Sequence, residues 1–196
     1  MGKLFYIMGK SATGKDHIFR ALLESELLSL KRLVIYTTRP KRAGEEDGKE
    51  YFFTDHDRLE EFRREGKLIE SRDYDTVHGI WTYFTVDDGQ LDLEDRDILG
   101  IGTLESYMLL KAYYGEEKIC PIYIETEDGE RLARALKREK KEEQPRYEEM
   151  CRRFLADQKD FSEENILQAG IWRRFENNGE ITDCVDEIIR YIISLQ

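Results

Sequence analysis

The chain has 196 residues, enough for one folded unit with a sizeable core. Hydrophobic residues make up 40% and charged residues 37%, with 14 Gly and 3 Pro, a helix-leaning globular composition that excludes a largely disordered chain. With 42 acidic against 31 basic residues the formal charge is -11, which disfavours unspecific binding to nucleic acid or anionic membrane, so a phosphate site must be a local concentration of Arg and Lys.

Residues 3–8 (KLFYIM) form a short apolar run closed by Gly9 and predict a buried first strand. From Asp16 the pattern becomes helical, with Ile18, Phe19, Leu22 and Leu23 on one face. A second strand is expected at 33–36, then an Arg-containing polar loop to Gly48 and a strand at 51–53. Residues 57–64 read as a charged helix ended by Gly66, and 68–70 as another short strand. An irregular stretch rich in aromatics follows (Tyr74, Trp81, Tyr83, Phe84), with a strand at 83–86 closed by an Asp87-Asp88-Gly89 turn.

Residues 97–101 read as a core strand, 104–114 as a helix and 120–124 as a strand. A long charged helical region runs from 129 through 141, breaks near Pro145 and resumes toward Phe161. A strand near 171–175 and a helix carrying Val185, Ile188, Ile189 and Ile192 complete the chain. Strands alternating with helices predict an α/β fold with a parallel sheet covered on both faces, whose ligands sit at the carboxyl ends of the strands.

The first eight residues are too short for a signal segment and no apolar stretch is long enough to span a bilayer, so a cytoplasmic chain is expected. Cys120, Cys151 and Cys184 are odd in number and far apart, and His17, His56 and His78 form no cluster. Reduced thiols and no structural zinc are expected.

The loop after the first strand reads Gly9-Lys10-Ser11-Ala12-Thr13-Gly14-Lys15-Asp16, the pattern G-x-x-x-x-G-K with Asp where Ser or Thr normally stands. Glycines let successive backbone N–H groups point inward at phosphate oxygens, the following helix presents its positive end, and Lys15 adds a mobile charge. A glycine turn with a surface lysine is the plainer alternative, but the pattern follows a strand and opens a helix, as its chemistry requires.

Residues 37–51 read Thr-Thr-Arg-Pro-Lys-Arg-Ala-Gly-Glu-Glu-Asp-Gly-Lys-Glu-Tyr, which resembles the guanylate kinase signature T-T-R-x-x-R-x-G-E-x-x-G-x-x-Y. The resemblance covers nearly the whole chain and is strongest up to Glu70. It implies a P-loop kinase three-layer fold with a parallel central sheet, a core of 1–34 and 97–196, a small insert of about 35–96 that binds the nucleoside monophosphate, and a helical lid of about 138–152. It also implies the loop residues 9–16 and Asn178 at ATP, and Arg39, Arg42, Glu45, Tyr51 and His78 about GMP, with Glu70 at the guanine base. Lys15 with the lid arginines Arg134, Arg138 and Arg153 would act on the transferring phosphoryl group.

The residue types suit these roles, because guanidinium forks match phosphate oxygens two at a time and a carboxylate can accept from guanine N1–H and its exocyclic amine. Without the signature, Arg39 and Arg42 would read as a basic loop pairing with Glu45 and Glu46. The lid arginines would read as a solvated, ion-paired helix face, and Asn177-Asn178-Gly179 as a turn.

Three positions depart from the family pattern. Asp16 replaces the hydroxyl that ligates magnesium. The strand that normally ends in Asp-x-Asp reads Ile98-Leu99-Gly100-Ile101-Gly102. His78-Gly79-Ile80 stands for Tyr-Gly-Ser, and Ile35 or Tyr36 for a serine. The two glycines leave room that Asp16 could fill, and Asp16 or the Asp87-Asp88 pair could supply the missing charge to Mg2+.

The leading expectation is phosphoryl transfer from ATP to GMP by a monomer or homodimer. The alternatives are a guanylate-kinase-like module that binds a nucleotide or a phosphorylated protein, and a kinase for another small phosphorylated acceptor.

Overall fold

A computed structural model describes residues 2–76 and 79–196. Its core is a five-stranded, all-parallel sheet in the order β2-β7-β1-β8-β9. The strands are β1 (Leu4–Met8), β2 (Leu30–Arg32), β7 (Asp97–Ile101), β8 (Ile119–Glu125) and β9 (Arg174–Glu176). All five residues of β1 are buried, as befits the middle of a sheet covered on both faces.

Strand alternation decides which layer each side chain joins. Leu4, Tyr6 and Met8 point to the layer built on α3 (Leu104–Tyr114) and α6 (Glu163–Gln168), while Phe5 and Ile7 point to α1 (Lys15–Leu23) and α7 (Ile181–Leu195). Ile188 and Ile192 of α7 are fully buried there, each stabilising the sheet by roughly 1.5–3 kcal/mol. The helices α4 (Asp128–Glu139) and α5 (Tyr147–Asp160) pack on each other.

Residues 36–86 build a separate four-stranded sheet in the order β4-β3-β6-β5. It comprises β3 (Tyr36–Thr37), β4 (Phe52–Phe53), β5 (Leu68–Thr76) and β6 (Gly79–Val86). One face, with Tyr36 and Phe84, packs on Leu59 and Phe62 of α2 (His56–Arg64). Asp55 caps that helix by accepting the Arg58 N–H at 2.9 Å.

Three strand expectations are corrected. The strand expected at 33–36 is two strands in two sheets, because the chain leaves the core sheet after Leu33 donates to the Leu99 carbonyl. At the crossing, the Gln90 side-chain amide bonds both the N–H and the carbonyl of Val34 at 3.1 Å, replacing the strand neighbour that the backbone lacks there. The strand expected at 68–70 and the irregular aromatic stretch form one antiparallel pair, β5 with β6, whose alternation is hidden because both faces carry aromatics. The last strand lies at Arg174–Glu176 rather than 171–175, because only those residues pair with β8.

Candidate active site

β1 ends at Met8, and the glycine-rich loop turns from there into α1. Gly14 caps α1 with φ 87°, and a Cβ at this position would lie 2.6 Å from the Asn177 amide nitrogen, so both backbone conformation and space demand glycine. Ala12 also adopts a left-handed conformation, φ 64°, which costs roughly 1–3 kcal/mol and is held by the surrounding bonds. Thr13 closes the loop through its hydroxyl to the Lys10 carbonyl at 2.9 Å, and Asn177 donates to the Thr13 carbonyl at 2.7 Å.

No side chain caps α1, and among the described residues the Lys15 and Asp16 amides make no backbone bond. These are the groups that an anion at a helix start would take. Lys15 is half-buried, Asp16 is exposed, and neither side chain has an ion pair among the described residues.

The tip of the loop is tied to α4 and α5 by residues that the sequence did not single out. Arg131 is buried, donates to the Ser11 carbonyl at 2.9 Å and to Asp128 and Asp157 at 2.6 and 2.8 Å, and lies over the Phe154 ring. Asp157 in turn accepts the Ser11 N–H at 2.7 Å, and Lys10 donates to Gln158. The signal was present, since Arg131 shares the buried stripe of α4 with Ala135, where a solvated arginine does not belong.

A cavity of about 360 Å³ adjoins the loop, lined by Lys10, Thr13, Glu127 and Asn178 among others. The Asn178 side-chain carbonyl accepts the Glu127 N–H at 2.9 Å and so braces the start of α4. A larger cavity, about 820 Å³, lies at the opposite, amino-terminal edge of the sheet beside Lys3 and Asp97, away from the glycine-rich loop. The smaller one is the candidate site, because it adjoins the glycine-rich loop at the carboxyl ends of β8 and β9.

The second sheet carries the other cluster. Arg39 is buried and uses four of its five N–H donors. Its Nε donates to the Tyr83 hydroxyl at 3.1 Å, Nη1 to the Pro40 carbonyl at 2.8 Å and Glu45 at 3.0 Å, and Nη2 to Glu45 at 2.7 Å. The guanidinium also lies 5.4 and 5.5 Å from the Tyr51 and Phe53 ring centres. Glu45 is held below the usual carboxylate range by Arg39 first, with burial opposing and the Arg42 N–H assisting. Burial raises the Tyr51 phenol, with smaller charge contributions from its neighbours. The Arg42 side chain and Tyr51 hydroxyl make no hydrogen bond among the described residues.

Glu70 is buried and fully engaged. It accepts from Thr85 at 2.7 Å, from Arg72 Nε at 3.1 Å and from Ser106 at 3.4 Å. Beside it Tyr6 fills the space opposite two glycines. Tyr6 pairs with Gly100 across β1 and β7, and a Cβ on Gly102 would lie 2.1 Å from the Tyr6 hydroxyl. The room left by those glycines is therefore taken by Tyr6, not by Asp16 as the sequence suggested. Burial, helped by Glu70, pushes the Tyr6 phenol up, with Arg72 and Ser106 opposing.

The structure leaves the lid arginines on helix surfaces. Arg134 pairs with Glu130, Arg153 with Glu149, and Arg138 is exposed. Asp88 accepts from Tyr36 and Asp87 from Tyr113, which occupies both carboxylates near α3. His78 lies outside the described residues. Cys120, Cys151 and Cys184 are free thiols, and among the described residues no helix is long and apolar enough to cross a membrane.

A family model described as guanylate kinase matches residues 1–166. A guanylate kinase of Nitrosomonas europaea is 38% identical over 79 residues, 40% of this chain and 37% of that protein. One of Mycoplasma mobile is 34% identical over 113 residues, 57% of this chain and 55% of that protein. The chain thus spans well under two thirds of the curated relatives that it matches. The crystal structure of guanylate kinase from Anaplasma phagocytophilum covers 100% of this chain and 86% of its own, with TM-score 0.60 and 18% identity, a likeness of fold. With a glycine-rich loop on β1, an arginine cluster on the inserted sheet and a family match over most of its length, this chain belongs to the guanylate kinase family.

Proposed function

We propose that this protein transfers the γ-phosphoryl group of ATP to GMP, giving ADP and GDP. The observation that most supports the reading is the family match over residues 1–166, joined to a glycine-rich loop at the end of β1 and an arginine cluster on the second sheet. Phosphoryl transfer needs that arrangement, because positioning two phosphates and neutralising charge between them supply most of the catalysis.

The loop amides and Lys15 hold the donor phosphates, and Asn178 and the cavity beside Lys10 receive the rest of ATP. Arg42, Tyr51 and the remaining N–H of Arg39 hold the acceptor phosphate, with Glu45 and Tyr83 fixing the Arg39 plane. His78 belongs to the same acceptor pocket in this reading. The helical segment of about 138–152 is the lid in this reading, and Arg134, Arg138 and Arg153 act on the transferring group.

Magnesium fits as part of the ATP substrate. No cluster of three or more His, Cys, Asp or Glu among the described residues could hold a metal, but magnesium usually takes one or two carboxylates with phosphate and water, and Asp16 is exposed and unpaired at the loop. Bound there, the ion supplies charge neutralisation on the phosphate oxygens. The test is a coupled assay of ADP formation with ATP, magnesium and each nucleoside monophosphate. Turnover is expected with GMP, whereas binding of a nucleotide without turnover of any would replace the enzyme by a binding module.

A further inference from the structure

The structure assigns a further specificity residue that neither the glycine-rich loop nor the arginine signature contains: we propose that Arg72 reads the guanine base by donating two N–H bonds to O6 and N7. The inference rests on the GMP reaction above and deepens it.

Strand register puts Arg72 in the acceptor cleft. Arg72 pairs with Tyr83 across β5 and β6, and Tyr83 pairs with Thr37 across β6 and β3, so all three project from one face of the sheet. Tyr83 is the residue whose hydroxyl accepts from Arg39. From Thr37 through Tyr83 to Arg72 is two strand spacings, about 10 Å between backbones, and Arg39 follows two residues after Thr37, which suits a nucleotide lying phosphate to base across the sheet.

The donors left over give the chemistry. Arg72 Nε bonds Glu70 and Nη1 bonds the Thr103 hydroxyl at 3.2 Å, while Nη2 makes no hydrogen bond among the described residues. Nη2 is not one of the buried atoms lacking a partner, so it opens onto solvent. The Glu70 side chain is 0% exposed and that of Arg72 10% exposed, so of the pair the guanidinium is the group that reaches solvent. A ligand in this cleft therefore meets the guanidinium, with Glu70 as the counter-charge that orients it.

With Nε and one Nη1 N–H engaged, three N–H donors remain, two on Nη2 and one on Nη1, and they match guanine O6 and N7, two acceptors side by side, while opposing adenine, whose amine at position 6 is a donor. Ser106 and Thr103 bond Glu70 and Arg72 from the start of α3, so the guanidinium is held before a ligand arrives.

The experiment measures kcat/KM with GMP, IMP and AMP for wild type, Arg72→Ala and Arg72→Lys. IMP keeps O6 and N7, whereas AMP replaces O6 by an amine. Both variants are expected to lose GMP and IMP activity together, on the order of ten- to a hundredfold, with AMP activity unchanged or higher. Arg72→Lys retains a counter-charge for Glu70 and separates loss of the fork from loss of folding. An unchanged GMP-to-AMP ratio in Arg72→Lys, or an equal fall for all three nucleotides, overturns the assignment. Wild-type protein that turns over none of them overturns the proposed reaction instead. In that case, equilibrium binding of the same nucleotides to wild type and Arg72→Lys decides the base-reading role: a preference for GMP and IMP over AMP that the variant lacks supports it, and its absence refutes it.

Discussion

Arg131→Met tests whether a buried guanidinium holds the glycine-rich loop. Methionine keeps most of the apolar stem against Phe154 but removes the bonds to the Ser11 carbonyl, Asp128 and Asp157. Asp128 is nearly half exposed and can rehydrate, so its loss is small. Asp157, with a side chain 15% exposed, keeps only the Ser11 N–H and becomes a mostly buried charge without a counter-charge. Breaking a buried pair costs about 3–5 kcal/mol, and the remaining exposure lowers the expected loss to roughly 2–4 kcal/mol.

Urea unfolding should show a lower midpoint at unchanged slope. Because Ser11 loses the anchor on its carbonyl, ATP affinity measured by calorimetry should fall by roughly a factor of ten, or about 1.4 kcal/mol. Arg131→Met combined with Asp157→Asn should recover stability relative to the sum of the single variants, with a coupling of at least about 1.5 kcal/mol. A loss below about 1 kcal/mol for Arg131→Met, or additivity in the double variant, would refute the argument that this pair pins the loop.

Gly102→Ala places a Cβ 2.1 Å from the Tyr6 hydroxyl and should cost roughly 1–3 kcal/mol in thermal or denaturant unfolding. Adding Tyr6→Phe should return part of that loss, and wild-type stability in Gly102→Ala alone would show that the tyrosine does not fill this space. Asp16→Ala should bind metal-free ATP as well as or better than wild type but lose the tightening that magnesium confers. Equal tightening by magnesium in both proteins would make Asp16 only a helix-start residue.

The parts legible in the sequence were those whose information is local. The spacing Gly9 to Lys15 follows a strand and opens a helix, and it lets successive backbone N–H groups converge on a phosphate, so one short segment identifies it. The 37–51 signature is likewise a single segment, and α1 and α7 announced themselves by apolar residues at helical spacing.

Tertiary structure decided what depends on residues far apart in the chain. Tyr6 and Gly102 belong to different strands, and only parallel pairing of β1 with β7 sets a phenol against the missing side chains. Ser11 meets Arg131 and Asp157 across more than a hundred residues, which no periodicity records. The sequence named Glu70 as a carboxylate at a base. The fold buries that carboxylate and pairs it with Arg72, because pairing of β5 with β6 and the start of α3 bring Thr85, Arg72 and Ser106 to its oxygens. Residue type fixes what a group can bond, but the register of neighbouring strands fixes which bonds are left over for a ligand.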